Sequence, residues 1–191
     1  AQDGWTQSFP GAPGYHEETF TSRAALTGND FGNWRFASKS GMKFRDDNQN
    51  GMKDPGELGI SGWTIVLYKG EPGDLELVAS TTTDADGLYS FSNMIKPGED
   101  YFVAESDIPL GWIQTYPNAS TPGAMFIEGL GYVWAINLKS GENDTCNDFG
   151  NIYYHNETAW GFYGPIVHPA NALNNDFLSF LKTNNWGWSI G

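Results

Sequence analysis

The sequence predicts an all-β fold, an antiparallel β-sandwich, on three observations. Short apolar or alternating runs recur between turn signals, as strands of a sandwich do. Glycine (24) and proline (10) are frequent among the 191 residues, which favours tight turns over long helices. Only one stretch, Asn171 to Lys182, carries apolar residues (Leu173, Phe177, Phe180, Leu181) at the helical period.

In chain order, Glu17 to Leu26 reads as a first strand, though without clean alternation. Gly41 to Arg45 is a short strand. Gly62 to Lys69 is apolar on both faces, as a central strand is. Leu75 to Thr83 returns after a Pro-Gly turn, and Leu88 to Ser92 follows the turn Asp84 to Gly87. Tyr101 to Glu105 alternates, placing the carboxylate of Glu105 on an apolar face where it needs a partner. Trp112 to Tyr116 and Gly131 to Leu138 complete the set. Trp186 to Ile190 sets Trp186, Trp188 and Ile190 on one side of a last strand, an apolar edge that invites pairing with another chain.

Between the second and third of these strands lies DDNQNGMKDPGE, Asp46 to Glu57. Its oxygen-bearing residues fall at the first, third, fifth, ninth and twelfth places: Asp46, Asn48, Asn50, Asp54 and Glu57. Gly51 stands at the sixth, and the Met52 carbonyl at the seventh. That is the spacing of a calcium loop of the EF-hand kind, because a hard cation wants several oxygens and a curled backbone brings alternate side chains to one point. A polar turn explains the composition but not all of the spacings. Asp84 and Asp86 form a second, weaker candidate for a cation, with plain turn chemistry as the alternative.

Net charge is −13, with 23 acidic against 10 basic residues, so the phosphate backbone of a nucleic acid is repelled. No run approaches a membrane span. The single cysteine, Cys146, excludes an intrachain disulfide. The opening Ala1-Gln2 and the sequons at Asn118, Asn143 and Asn156 are those expected of a processed, secreted glycoprotein. An enzyme is not expected: the acids cluster in loops, His16, His155 and His168 lack metal-binding spacing, and no Gly-x-Ser-x-Gly or His-Glu-x-x-His run is present. Trp112, Trp134, Trp160, Trp186 and Trp188 are candidates for a glycan-stacking surface, with core packing as the commoner fate of such rings.

Four runs, SGMKFRDDNQNGMKDPGELGISGWTIVLY, TTTDADGLYSF, YFVAESDIPLGWIQTYP and NDFGN, occur in order between residues 40 and 152. This stretch resembles the calcium-binding B-repeats of serine-aspartate repeat surface adhesins, a branch of the Cna-B-like, transthyretin-like sandwiches. The resemblance implies an Ig-like extracellular domain at a cell surface, stiffened by calcium. Through the Cna-B relatives it also implies a candidate isopeptide bond between Lys43 and Asn151, or Asn147, assisted by a buried carboxylate at Glu105. The alternative is a surface Lys43 and a Glu105 that accepts hydrogen bonds at a strand end, since calcium-binding B-repeats generally do without the bond.

NDFGN occurs at Asn29 to Asn33 as well as at Asn147 to Asn151. Three regions are therefore expected: 1–39 as the tail of a partial β unit, 40–152 as the sandwich, and 153–191 as a second partial unit with one short helix. The two partial units either complete each other head to tail between copies of the chain, building a filament by donor-strand complementation, or close within one chain, or belong to a longer repeat protein. The function expected first is a calcium-stiffened structural subunit of a surface filament. An adhesin or glycan-binding module and a spacer repeat are the alternatives.

Overall fold

The computed structural model describes residues 2–154. The helix expected at Asn171 to Lys182 and the strand carrying Trp186, Trp188 and Ile190 lie outside the described residues.

The strands in chain order are β1 (Thr6–Phe9), β2 (Gly32–Trp34), β3 (Ala37–Arg45), β4 (Thr64–Glu71), β5 (Asp74–Thr82), β6 (Leu88–Ile95), β7 (Tyr101–Glu105), β8 (Trp112–Tyr116), β9 (Ala124–Ile127), β10 (Gly131–Ile136), β11 (Asn143–Asp144) and β12 (Phe149–Tyr153). Glu17 to Leu26 is not a strand. Arg23 takes a left-handed φ of 67° there, and the Ala24 N–H returns to the Thr21 carbonyl, so the segment turns where a strand would extend. β1 and β2 pair with each other in a separate two-stranded sheet.

Two larger sheets make the sandwich. One runs in the order β5-β4-β7-β10-β9, antiparallel throughout. The other is built on β3, which pairs antiparallel with β6 on one side. On the other side β3 meets β11 at Ser38 and Lys39, then β12 at Lys43 to Arg45, both in parallel, and β12 continues antiparallel to β8. The first and last strands of the sandwich are thus neighbours running the same way.

The core lies between the sheets. Ile65, Leu67, Val103, Trp134 and Ile136 from the first sheet meet Ala37, Tyr89, Phe91, Ile95 and Phe149 from the second. The alternate residues of the first sheet, Val66, Phe102, Ala104 and Val133, form a second buried cluster with Ile127. This explains why Gly62 to Lys69 reads as apolar on both faces: its side chains serve two clusters, one per face.

β3 departs from an ordinary core strand. Its inward positions are Ala37, Lys39, Gly41 and Lys43, and both lysines are completely buried. Lysine is almost never buried without a partner, so these two positions direct attention to what surrounds them.

Candidate functional site

Lys43 extends from β3 into the core, and Glu105, the last residue of β7, extends from the opposite sheet to meet it. The ammonium Nζ stands 2.5 Å from Glu105 Oε1, with both side chains sealed from solvent. The contact is close, but it lacks hydrogen-bond alignment. Asn151 on β12 is the third member: its side chain is fully buried, and neither Nδ2 nor Oδ1 has a hydrogen-bond partner of full geometry. Trp63 forms a wall, with its ring 4.5 Å from the Lys43 nitrogen, and packs edge-on against Trp112 at 5.4 Å. The alternative asparagine, Asn147, has a left-handed backbone, φ 77°, and its backbone carbonyl accepts the Tyr89 hydroxyl, whereas the asparagine that acts on Glu105 is Asn151.

Burial governs the electrostatics. Loss of solvent pushes the Lys43 ammonium down to about 8, against the pull of the nearby Glu105 carboxylate. The same loss pushes the Glu105 carboxyl up, against Lys43 and a hydrogen-bond contribution from Asn151. Both shifts favour the neutral pair. A neutral amine has a lone pair, and a neutral carboxyl has a proton to give to an amide.

The second buried lysine is in a different state. Lys39 Nζ donates to the carbonyl of Ser40 at 2.9 Å, to the carbonyl of Cys146, and contacts Asp144 Oδ1 at 3.2 Å. Sequence reasoning missed this residue. The signal was its phase: Lys39 and Lys43 share a strand face with Ala37 and Gly41.

The loop Asp46 to Glu57 follows β3 directly. Asp46 is buried and caps the loop: Oδ1 accepts the Asn50 N–H at 3.1 Å, and Oδ2 accepts the Gly51 N–H at 2.9 Å. Gly51 has φ +75°, which is why glycine stands at the sixth place. Asn48 and Asn50 each direct Nδ2 to Asp54 Oδ2 at 2.7 Å, and Glu57 accepts the N–H groups of Asp47 and Asp54. Met52 has its side chain exposed. The donor set has the chemistry of a hard-cation site, since it is rich in carboxylate and amide oxygens. Among the described residues no group of three or more His, Cys, Asp or Glu side chains is placed to hold a metal, so a cation here must also draw on asparagine and backbone oxygens. Asn48 and Asn50 have to turn their amides so that oxygen replaces nitrogen.

The other expected sites separate. Asp84 Oδ1 accepts the N–H groups of Asp86 and Leu88, an ordinary turn cap. Asn118 is tied down, with Nδ2 on the Thr115 carbonyl and Oδ1 on the Ser120 N–H, whereas Asn143 is exposed on β11. Asn156 lies outside the described residues. Trp134 does not belong to any stacking surface: it is core, and its Nε1 donates to the Asp148 carbonyl. Among the described residues no helix is long and apolar enough to cross a membrane.

Comparison with known proteins places this site in context. Serine-aspartate repeat-containing protein D of Staphylococcus aureus (strain Newman) is 30% identical over 133 residues, covering 70% of this chain and 9% of that protein. Colossin-B of Dictyostelium discoideum is 33% identical over 101 residues, covering 50% of this chain and 2% of its own length. The chain thus spans less than a tenth of these relatives. Among solved structures, the shaft pilin spaA from Lactobacillus rhamnosus GG is similar over 63% of this chain and 52% of that one, at 13% identity and a TM-score of 0.42. The SdrD B-like domain family, a family of structural domains and not of enzymes, matches residues 41–151. The chain therefore belongs to the SdrD B-like domain family.

Proposed function

We propose that this chain is a structural domain of an extracellular surface protein, closed by an amide bond between Lys43 Nζ and Asn151 Cγ that Glu105 promotes. The buried Lys43, Glu105 and Asn151 constellation carries the proposal. Transfer of a proton from Lys43 to Glu105 gives amine and carboxyl. The Nζ lone pair attacks Asn151 Cγ while the carboxyl polarises the amide oxygen. The second proton lost by Nζ passes through Glu105 to Nδ2, the Cγ to Nδ2 bond breaks, ammonia leaves, and Glu105 keeps the first proton as a neutral carboxyl.

Intact-protein mass tests this. The chain is expected to weigh about 17 Da less than its sequence, the mass of one ammonia, with a crosslinked Lys43 and Asn151 peptide in tandem spectra. Glu105→Gln restores the full mass. Full mass in the unaltered chain rules the bond out. The peptide assignment is needed because ring closure at Asn50-Gly51 loses the same mass.

Calcium at Asp46 to Glu57 is the second element of the proposal, supported by the loop's spacing and its oxygen-bearing side chains. Head-to-tail pairing of copies through Trp186, Trp188 and Ile190 is the third, supported by the sequence pattern alone. Electron microscopy of the purified chain separates a filament from a spacer domain, for which the great length of the relatives speaks.

A further inference from the structure

Lys39 and Lys43 lie on the same face of one strand, both with no exposed surface, and their nitrogens are in opposite conditions. Lys43 Nζ has one carboxylate beside it and no aligned hydrogen bond. Lys39 Nζ is engaged by three groups, the carbonyls of Ser40 and Cys146 and the carboxylate of Asp144. An ammonium held in this way has no lone pair to offer. It is equipped to grip.

What it grips is the approach to Asn151. Asp144 ends β11, and Cys146 stands in the segment that leads on to β12. The rest of that segment is fastened as well. The Asn147 carbonyl accepts the Tyr89 hydroxyl at 2.7 Å, Asp148 Oδ1 accepts the Met42 N–H at 2.8 Å, and the Asp148 carbonyl accepts Trp134 Nε1–H at 3.1 Å. Beyond it, β12 meets β3 at Phe149 to Asn151 against Lys43 to Arg45, with the Asp46 N–H on the Asn151 carbonyl, and pairs with β8 on its other edge. Register decides the geometry here, because a slip of one residue turns every side chain of the strand to the other face. A slip would point Asn151 away from Lys43.

We infer that Lys39 is a positioning residue for amide formation: by anchoring Asp144 and Cys146 to β3, it sets the register of β12 and presents Asn151 to Lys43. The inference rests on the Lys43 and Asn151 bond proposed above. Burial lowers the Lys39 ammonium while Asp144 sustains it, which fits a charge retained for holding.

The test is the time course of ammonia loss in freshly synthesised chain, followed by intact mass, for the unaltered protein and for Lys39→Met. The variant is expected to react roughly tenfold to a hundredfold more slowly, the penalty of a misplaced reactant. A second readout does not need the bond. In a Glu105→Gln background, Lys39→Met is expected to speed hydrogen exchange at Phe149 to Asn151 while leaving β4 and β7 protected. If Lys39→Met fails to fold, Asp144→Asn removes the carboxylate half of the anchor from a partly exposed position and is expected to slow the reaction in the same direction. Unchanged reaction rate together with unchanged exchange overturns the role of Lys39. Absence of ammonia loss from the unaltered chain overturns the bond itself, and the role with it.

Discussion

Lys43 and Glu105 reach each other from opposite sheets and meet 2.5 Å apart at positions without solvent. Taking both charges out of water costs several kcal/mol per ion, on the order of 5, and a contact without aligned hydrogen bonds offsets that poorly. An amide at Lys43 removes the ammonium altogether and leaves a neutral Glu105. The proposed bond would account for an ion pair that is otherwise expensive to bury.

Removing only one partner exposes that cost. Glu105→Ala leaves the Lys43 nitrogen buried and unpaired as well as unreacted. Relative to Asn151→Ala, which also lacks the bond but keeps the pair, it is expected to lose about 3–5 kcal/mol in urea denaturation. Equal stability of the two variants would show that the pair contributes nothing.

The pH dependence of Asn151→Ala follows from the two shifts. The Lys43 ammonium falls from 10.5 to about 8 on folding, so between those values the unfolded chain binds more protons, and stability rises as pH increases from about 8 to 10.5. Glu105 shifts upward from 4.5, so its contribution is present below that value and is lost as pH rises through its folded value. Chemical denaturation at stepped pH reads both slopes. Lys43→Met should abolish the alkaline one.

Calcium binding should raise the melting temperature, with a gain of about 2.7 kcal/mol when free calcium is a hundred times the dissociation constant. A chelator reverses it. Asp46→Ala destabilises the chain even without metal, because it strands the Asn50 and Gly51 N–H groups. The specific result is loss of the difference between calcium and chelator in that variant. No difference in the unaltered chain would remove calcium from the loop.

Gly59 and Gly87 pass each other beside the Lys43 backbone. A Cβ on Gly59 would lie 1.9 Å from the Asp86 carbonyl oxygen, and one on Gly87 2.3 Å from that of Lys43, at a φ of +81°. Each alanine substitution is expected to cost about 3 kcal/mol, seen as a lowered thermal midpoint, and to reduce the crosslinked fraction by displacing Lys43.

Sequence pattern reveals the long central strands well. Tyr101 to Glu105 alternates in the sequence, and its ends coincide with those of β7. β11, at Asn143 and Asp144, is too short to carry any period, and β9, though bracketed by Pro122-Gly123 and Gly129, has only four residues in which to show one. Lys43, Glu105 and Asn151 are far apart in sequence and on three strands, so only resemblance joined them in advance. Lys39 had no such aid. A lysine in a strand reads as solvated, and its burial depends on backbone carbonyls that composition does not show.

β3 and β12 run side by side in the same direction. Tension that enters ahead of β3 and leaves after β12 pulls these neighbours past each other in shear, so their ladder must give way all at once instead of unzipping bond by bond. With Lys43 joined to Asn151 as proposed, the pull would cross between the strands through a covalent link. Everything threaded between those two residues, the oxygen-rich loop and most of both sheets included, would then be slack, and the domain would transmit force without extending.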